Sequence, residues 1–239
     1  MIPRIIHYCW FGRSPIPDLA QRCIDSWHRY MPDWEYKLWN EDNFDISQNT
    51  YTKEAYEAGM FAFVSDYVRL WALEREGGLY LDTDVTVFKS FEPLLGRHAF
   101  AGFEGSKHLP IGTCVMASEP HGVWVSEMLE AYRERHFFFP DRNLDLTTNV
   151  QFISKKMREQ GFVQNGKEQD YKDLHIFPVD YFSPRQTTGE YFRTQNTFCD
   201  HLGMGSWDGG EGGWKAMIGR VVGQKNMTRL IKLKRKLFG

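Results

Sequence analysis

No stretch of this 239-residue chain reaches the roughly 18 to 20 consecutive apolar residues that a membrane-crossing helix needs. Cysteine is scarce as well. Cys9, Cys23, Cys114 and Cys199 stand far apart without Cys-x-x-Cys spacing, so neither a zinc cluster nor a disulfide framework is signalled. The charges nearly cancel, with 29 Lys and Arg against 31 Asp and Glu, and the chain lacks the basic excess that a phosphate backbone attracts. Nucleic acid is therefore not an expected partner. The opening Ile2-Pro3-Arg4-Ile5-Ile6-His7 has neither the charged head nor the long apolar run of a secretory leader. Together these absences lead us to expect a cytoplasmic, reducing setting and binding that is local.

What is present is enough apolar and aromatic material, 42% and 15% of the residues, to bury one sizeable core. Ile2 to Trp10 reads as a buried first strand, and Asp18 can cap a helix that carries Leu19, Cys23, Ile24 and Trp27 and closes at Pro32. Alternation over Trp34 to Trp39 predicts a second strand. Tyr51 to Glu76 reads as a helix in two pieces broken near Gly59, stopped by Gly77-Gly78. Apolar β-type runs, Leu79 to Leu81 and Val85 to Phe88, flank Asp82-Thr83-Asp84. Further strands are expected near Ala99 to Phe103, Thr113 to Ala117, His175 to Val179 and Thr197 to His201, with helices near Gly122 to Arg135 and Thr148 to Gln160. Strands alternating with helices argue for an α/β fold with a mostly parallel central sheet flanked by helices, which binds ligands where strands end. After Gly161 the pattern is less regular.

Asp82 and Asp84 lie between two runs that both look buried, where uncompensated carboxylates would cost several kcal/mol each. A hard divalent cation, Mn²⁺ or Mg²⁺, would meet them and keep positions open for a diphosphate. The bland alternative is a hairpin turn, which Asp also favours. Asp66 and Arg69 stand three apart on one predicted helix, so their heads share a side. They make either an ordinary exposed ion pair or a carboxylate and guanidinium turned to sugar hydroxyls and donor oxygens. Glu104 and Asp145 are the carboxylates to test if a covalent nucleophile exists.

The strings Ser65-Asp66-Tyr67-Val68-Arg69 and Gly77-Gly78-Leu79-Tyr80-Leu81-Asp82-Thr83-Asp84 resemble the DXD sugar-binding region of glycosyltransferase family 32. That group includes yeast mannosyltransferase-like enzymes and bacterial capsule and O-antigen transferases. Ile2 through Gly12 resembles the family's opening strand and Trp39-Asn40-Glu41 its second segment; Pro178 through Pro184 and His201 through Trp207 resemble its closing motifs. The resemblance implies a GT-A fold over 1–212 and a retaining, metal-dependent transferase. It would move a sugar from a UDP- or GDP-sugar to a hydroxyl of a glycan or lipid-linked oligosaccharide, in surface polysaccharide synthesis. It also implies that Tyr8, Trp10 and Phe11 lie by the nucleotide base, with Asp66, Arg69, Tyr80, Asp82 and Thr83 around ribose and sugar. Asp84 would ligate the metal directly, Asp82 would contact ribose or metal, and His201, Ser206 and Trp207 would close on metal and diphosphate. One departure is Asp200-His201 followed by Gly203-Met204-Gly205, where relatives often carry paired histidines; the third protein ligand is left open.

Past Glu211 the chain has no acidic residue, while cations accumulate around Met227, Leu230, Ile231, Leu237 and Phe238. Residues 213–239 read either as a basic amphipathic helix on the inner face of an anionic membrane or as a solubilising helix on the core. Two rival functions use the same motif. One is a haloacid-dehalogenase-type phosphatase with Asp82 as nucleophile and Asp84 as acid and base; the other is a sugar-binding module without turnover.

Overall fold

The computed structural model describes residues 1–105, 109–185 and 190–203. Contacts group Met1–Leu202 into one compact unit and Gly203–Gly239 into another. The expected tail helix over 213–239 lies outside the described residues.

In chain order the elements are β1 (Ile5–Cys9), α1 (Asp18–Tyr30), β2 (Glu35–Trp39), α2 (Thr50–Glu57), α3 (Phe61–Glu76), β3 (Gly78–Leu81) and β4 (Val85–Val87). Then come β5 (Ala99–Phe103), β6 (Ile111–Ser118), α4 (Val123–Glu130), α5 (Asn149–Glu159), β7 (Gln169–Tyr171), β8 (Leu174–Phe177), α6 (Val179–Phe182) and β9 (Cys199–His201). Among the described residues, seven strands form one sheet in the order β2-β1-β3-β6-β5-β8-β7. Five of them run one way; β6 is antiparallel to β3 and β5, and β7 to β8. The mostly parallel sheet is thus present with two reversed strands. Every residue of β6 is buried, as a strand at the centre of a covered sheet requires. Helix α3 packs on β1 and β3, and α5 on β6.

Local chemistry sets several boundaries. Helix α1 starts at Asp18 with Pro17 at the cap, so Asp18 sits inside the first turn, where the helix dipole favours its charge, rather than capping. Helix α5 opens on a capping box, Thr148 Oγ1 accepting from Gln151 N–H while the Gln151 side chain accepts from Thr148 N–H. The expected strand through Val179 stops at Phe177, because Pro178 has no N–H to continue the ladder and caps α6. Short, polar β7 carries no alternating apolar signal, yet it closes the sheet edge.

The pairing of β3 and β4 excludes the bland alternative for the acidic motif. The two runs flanking Asp82 and Asp84 do not form a hairpin, since β3 belongs to the main sheet and β4 pairs antiparallel with β9 in a separate two-stranded sheet. Val85 stands opposite His201 in that ladder. Helix α1 fixes β4 by two buried hydrogen bonds, Trp27 Nε1–H to Val85 O at 2.7 Å and Val87 N–H to Ser26 Oγ at 2.9 Å.

The turn into β3 depends on glycine. Gly78 has φ +102°, and a Cβ there would come within 2.7 Å of Ile5 O on the neighbouring strand. Gly78→Ala is therefore expected to cost roughly 1–3 kcal/mol, read as a lowered urea midpoint with an unchanged slope.

His7, wholly buried on β1, accepts from Trp39 Nε1–H at Nδ1 (3.1 Å), so its Nε2–H donates to Gly77 O (2.8 Å). Burial holds its pKa below the ordinary 6.5, although the Gly77 carbonyl favours the charged ring. The unfolded chain therefore takes up this proton first on acidification. The neutral ring's contribution is complete above the unfolded value and is lost as pH falls below it. The thermal midpoint is expected to drop as pH falls below about 6.5, with a shallower drop in His7→Gln.

Candidate active site

Asp82 follows β3 directly. Its N–H still bonds Cys114 O at 2.9 Å, extending the ladder with β6 by one step, and Val85 N–H returns to Asp82 O at 3.0 Å to close the turn. Asp84 then sits at the start of the β4–β9 ladder, where Leu202 N–H bonds its carbonyl at 3.0 Å. The acidic turn bridges two sheets, and this brings His201 Nε2 to 3.3 Å from Asp84 Oδ1. One ligand atom each from Asp82, Asp84 and His201 lie within 4.8 Å of one another. Two carboxylates and an imidazole make a donor set suited to a small divalent cation with open positions. Burial works against a charged His201 ring, but Cys114 and Asp84 beside it raise its pKa above the ordinary value.

Asp66 and Arg69 are where the expectation changes most. Helix α3 is buried on nearly all sides, and the pair is 1% and 3% exposed, so neither an exposed ion pair nor a pair open to the donor describes it. Arg69 uses its whole fork inward. Nε–H donates to Ser65 O (3.2 Å) and Nη1–H to Thr113 O (2.7 Å); Nη2 meets Asp66 Oδ1 at 3.0 Å and Nη1 meets Asp82 Oδ1 at 3.3 Å. Its guanidinium lies 4.6 Å from the Tyr80 ring centre. Asp66 in turn accepts from Asn149 N–H at 3.0 Å, at the start of α5. Burial pushes Asp66 up to about 7, with Arg69 pulling the other way. Asp66 and Arg69 are thus a brace behind the acidic turn. The buried Tyr80 hydroxyl also donates to Asp82 Oδ1, at 2.9 Å, so both contacts fall on one oxygen and Oδ2 carries Asp82's remaining coordinating capacity.

Glu104, partly exposed past the end of β5, completes the acidic face. Burial pushes its carboxyl up to about 7; His201 pulls it down, Asp82 pushes it further up, and Arg69 pulls it down. Asp145 lies apart from this group. It accepts from Arg135 at 2.8 Å and from Thr147 N–H at 3.0 Å, while Tyr51, Tyr132 and Phe152 enclose the same guanidinium. That removes it as a nucleophile candidate.

Of the three aromatic residues expected at the nucleotide base, Tyr8 and Trp10 keep part of their surface. Phe11 is 5% exposed and packs edge-on against Phe44, which corrects its placement. The loop after β1 is held by Glu41, which accepts from Gly12 N–H at 2.6 Å and from the Tyr56 hydroxyl at 3.0 Å. Thr83 forms the tip of the turn; Ser206 and Trp207 lie outside the described residues. A polar cavity of about 490 Å³ is lined by Tyr67, Glu74 and Arg133 among others, and none of the acidic-turn residues faces it. Asn149 and Thr113 were missed from the sequence. Thr113 acts through its carbonyl, a group that every residue type offers; Asn149 acts through its backbone N–H and also through its side-chain amide, which donates to Asp66 O at 3.1 Å, a long-range contact that no local pattern announces.

Residues 17–101 match the family model described as the glycosyltransferase sugar-binding region containing the DXD motif. The mannosyl phosphorylinositol ceramide synthase CSH1 of Saccharomyces cerevisiae is 27% identical over 76% of this chain and 49% of its own length. The inositol phosphoceramide mannosyltransferase 1 of Schizosaccharomyces pombe is 31% identical over 41% of this chain and 33% of its own. The chain thus spans half or less of these relatives. Among solved structures, the PaToxG glycosyltransferase superposes with a TM-score of 0.51 at 15% identity, covering 67% of this chain and 70% of that one, a likeness of fold. Residues 17–101, which hold the β3–β4 turn and the Asp66–Arg69 brace behind it, are thus similar to the DXD-containing sugar-binding region of glycosyltransferases, and the fold around them is of the GT-A type.

Proposed function

We propose that the protein transfers a sugar, with retention of anomeric configuration, from a UDP- or GDP-sugar to a hydroxyl of a glycan or lipid-linked acceptor. One observation carries the reading: Asp82, Asp84 and His201, from two sheets, bring their ligand atoms within 4.8 Å of one another. That set fits Mn²⁺ or Mg²⁺, which when bound would neutralise the charge developing on the diphosphate leaving group. Asp84 and His201 are the direct ligands in this reading. Arg69 and Tyr80 hold Asp82 in place from behind. Tyr8 and Trp10 offer ring surface to the base and Thr83 lies nearest the sugar, while Ser206 and Trp207, expected at the diphosphate, lie outside the described residues.

The names of the two fungal relatives make mannose the first sugar to try and an inositol phosphoceramide the first acceptor. Surface polysaccharide is the wider setting that the sequence motifs suggest. The enzyme would work in the cytoplasm, with 213–239 resting on the inner face of the membrane. Among the described residues no helix is long and apolar enough to cross it.

Calorimetry of UDP and GDP, each with Mn²⁺ and with chelator, tests the reading. One nucleotide is expected to bind at least about tenfold more tightly with the metal. Equal binding under chelation, or cleavage of a phosphomonoester in place of a nucleotide sugar, would overturn it.

A further inference from the structure

The reading above gives no role to Cys114 or Glu104, yet the fold sets both against His201. The Cys114 sulfur, a Glu104 carboxylate oxygen and a His201 ring nitrogen lie within 4.8 Å of one another. They come from three separate places, past the end of β5, inside β6 and at the end of β9. Cys114 is 2% exposed, whereas Glu104 keeps partial exposure and gives an ion a way in. Ser183 Oγ lies 3.9 Å from the Cys114 sulfur, a contact that can steady it from behind.

Thiolate, imidazole and carboxylate together are a different donor set from that of the acidic turn. Sulfur selects borderline-soft ions, so this triad favours Zn²⁺ over Mg²⁺ or Mn²⁺, which prefer oxygen. We propose that Glu104, Cys114 and His201 form a second metal site, selective for Zn²⁺, and that filling it takes the one lone pair of the His201 ring from the neighbouring hard-cation site and turns that site off.

The switch follows from the imidazole. A neutral ring has one nitrogen with a lone pair and one that carries hydrogen. Serving both ions at once would require removing that last proton. His201 therefore belongs to one set at a time, and Nε2 is turned to Asp84 here. Binding of Zn²⁺ releases the Cys114 thiol proton to solvent and involves no oxidation or reduction. The two sites are also joined through the backbone, since Cys114 O holds Asp82 N–H. The existence of the zinc site is independent of the transferase reading; only the switching rests on it.

Co²⁺, a coloured stand-in for Zn²⁺, tests the site in the 239-residue chain under reducing, anaerobic conditions. The wild type and Asp84→Asn are expected to show a thiolate-to-cobalt charge-transfer band. Cys114→Ala and Cys114→Ser should lose it, two variants being used so that a folding failure in one leaves the other. Glu104→Gln should weaken Co²⁺ binding at least about tenfold. In Mn²⁺-dependent turnover, Zn²⁺ should inhibit the wild type, while Cys114→Ala keeps its basal rate and needs at least about tenfold more Zn²⁺. A folded wild type without the band, or a band that survives loss of Cys114, would overturn the site. Equal Zn²⁺ inhibition of wild type and Cys114→Ala would overturn the switch. A wild type with the band but no Mn²⁺-dependent turnover would remove the switch together with the transferase reading and leave the site standing.

Discussion

Replacing Asp84 with alanine is expected to lower metal-dependent turnover by about three orders of magnitude while the thermal midpoint stays within a few degrees of wild type. The magnitude follows from losing one anionic ligand, worth several kcal/mol where charge develops on a leaving group, at about 1.4 kcal/mol per tenfold in rate. The small stability effect follows from how Asp84 is held. Its carbonyl takes Leu202 N–H and the β4–β9 ladder continues beside it, and both are backbone contacts that alanine keeps. The side chain keeps some exposure and faces His201, so no deep cavity is left behind. Steady-state kinetics across a Mn²⁺ titration, paired with a melting curve, checks both halves. Wild-type turnover in a folded Asp84→Ala protein would remove the basis of the proposed reaction.

Arg69→Met is expected to act the other way round, with its first effect on folding. Removing the guanidinium leaves Asp66 at 1% exposure without its cation and takes a partner from Asp82. Breaking a buried pair from one side costs about 3–5 kcal/mol, a large fraction of the roughly 5–15 kcal/mol that holds a domain together. Arg69→Lys keeps a charge but lacks the planar fork that reaches Ser65 O, Thr113 O and both carboxylates together, so it should recover only part of the loss. Adding Asp66→Asn to Arg69→Met removes the stranded carboxylate and is expected to restore stability beyond the sum of the single changes. Additive single and double variants in urea melts would show that the pair does not act as a unit. A strong recovery in stability with turnover still depressed would mark Arg69 as a positioning residue for Asp82.

Much of this was legible in the sequence for a local reason. Strand β1, helices α1 and α3 and the Gly77-Gly78 stop are written in alternation, helical spacing and glycine, signals confined to a few neighbouring residues. The Asp82-Thr83-Asp84 motif was visible for the same reason. The surroundings of Asp66 were not, because the spacing that puts Asp66 and Arg69 on one side of α3 is silent about whether solvent or α5 covers that side. The hairpin alternative was equally consistent with the residues. Only pairing with β9, more than 110 residues further on, separates β3 from β4.

The sequence by itself determined that two carboxylates would stand one residue apart after a buried strand, behind a helix carrying Asp66 and Arg69, since both facts follow from short-range pattern. The tertiary structure alone decided that His201 joins Asp84, that Glu104 and Cys114 gather round the same imidazole, and that Arg69 faces inward. Those contacts span many tens of residues and depend on sheet order and register, which chain neighbours do not encode.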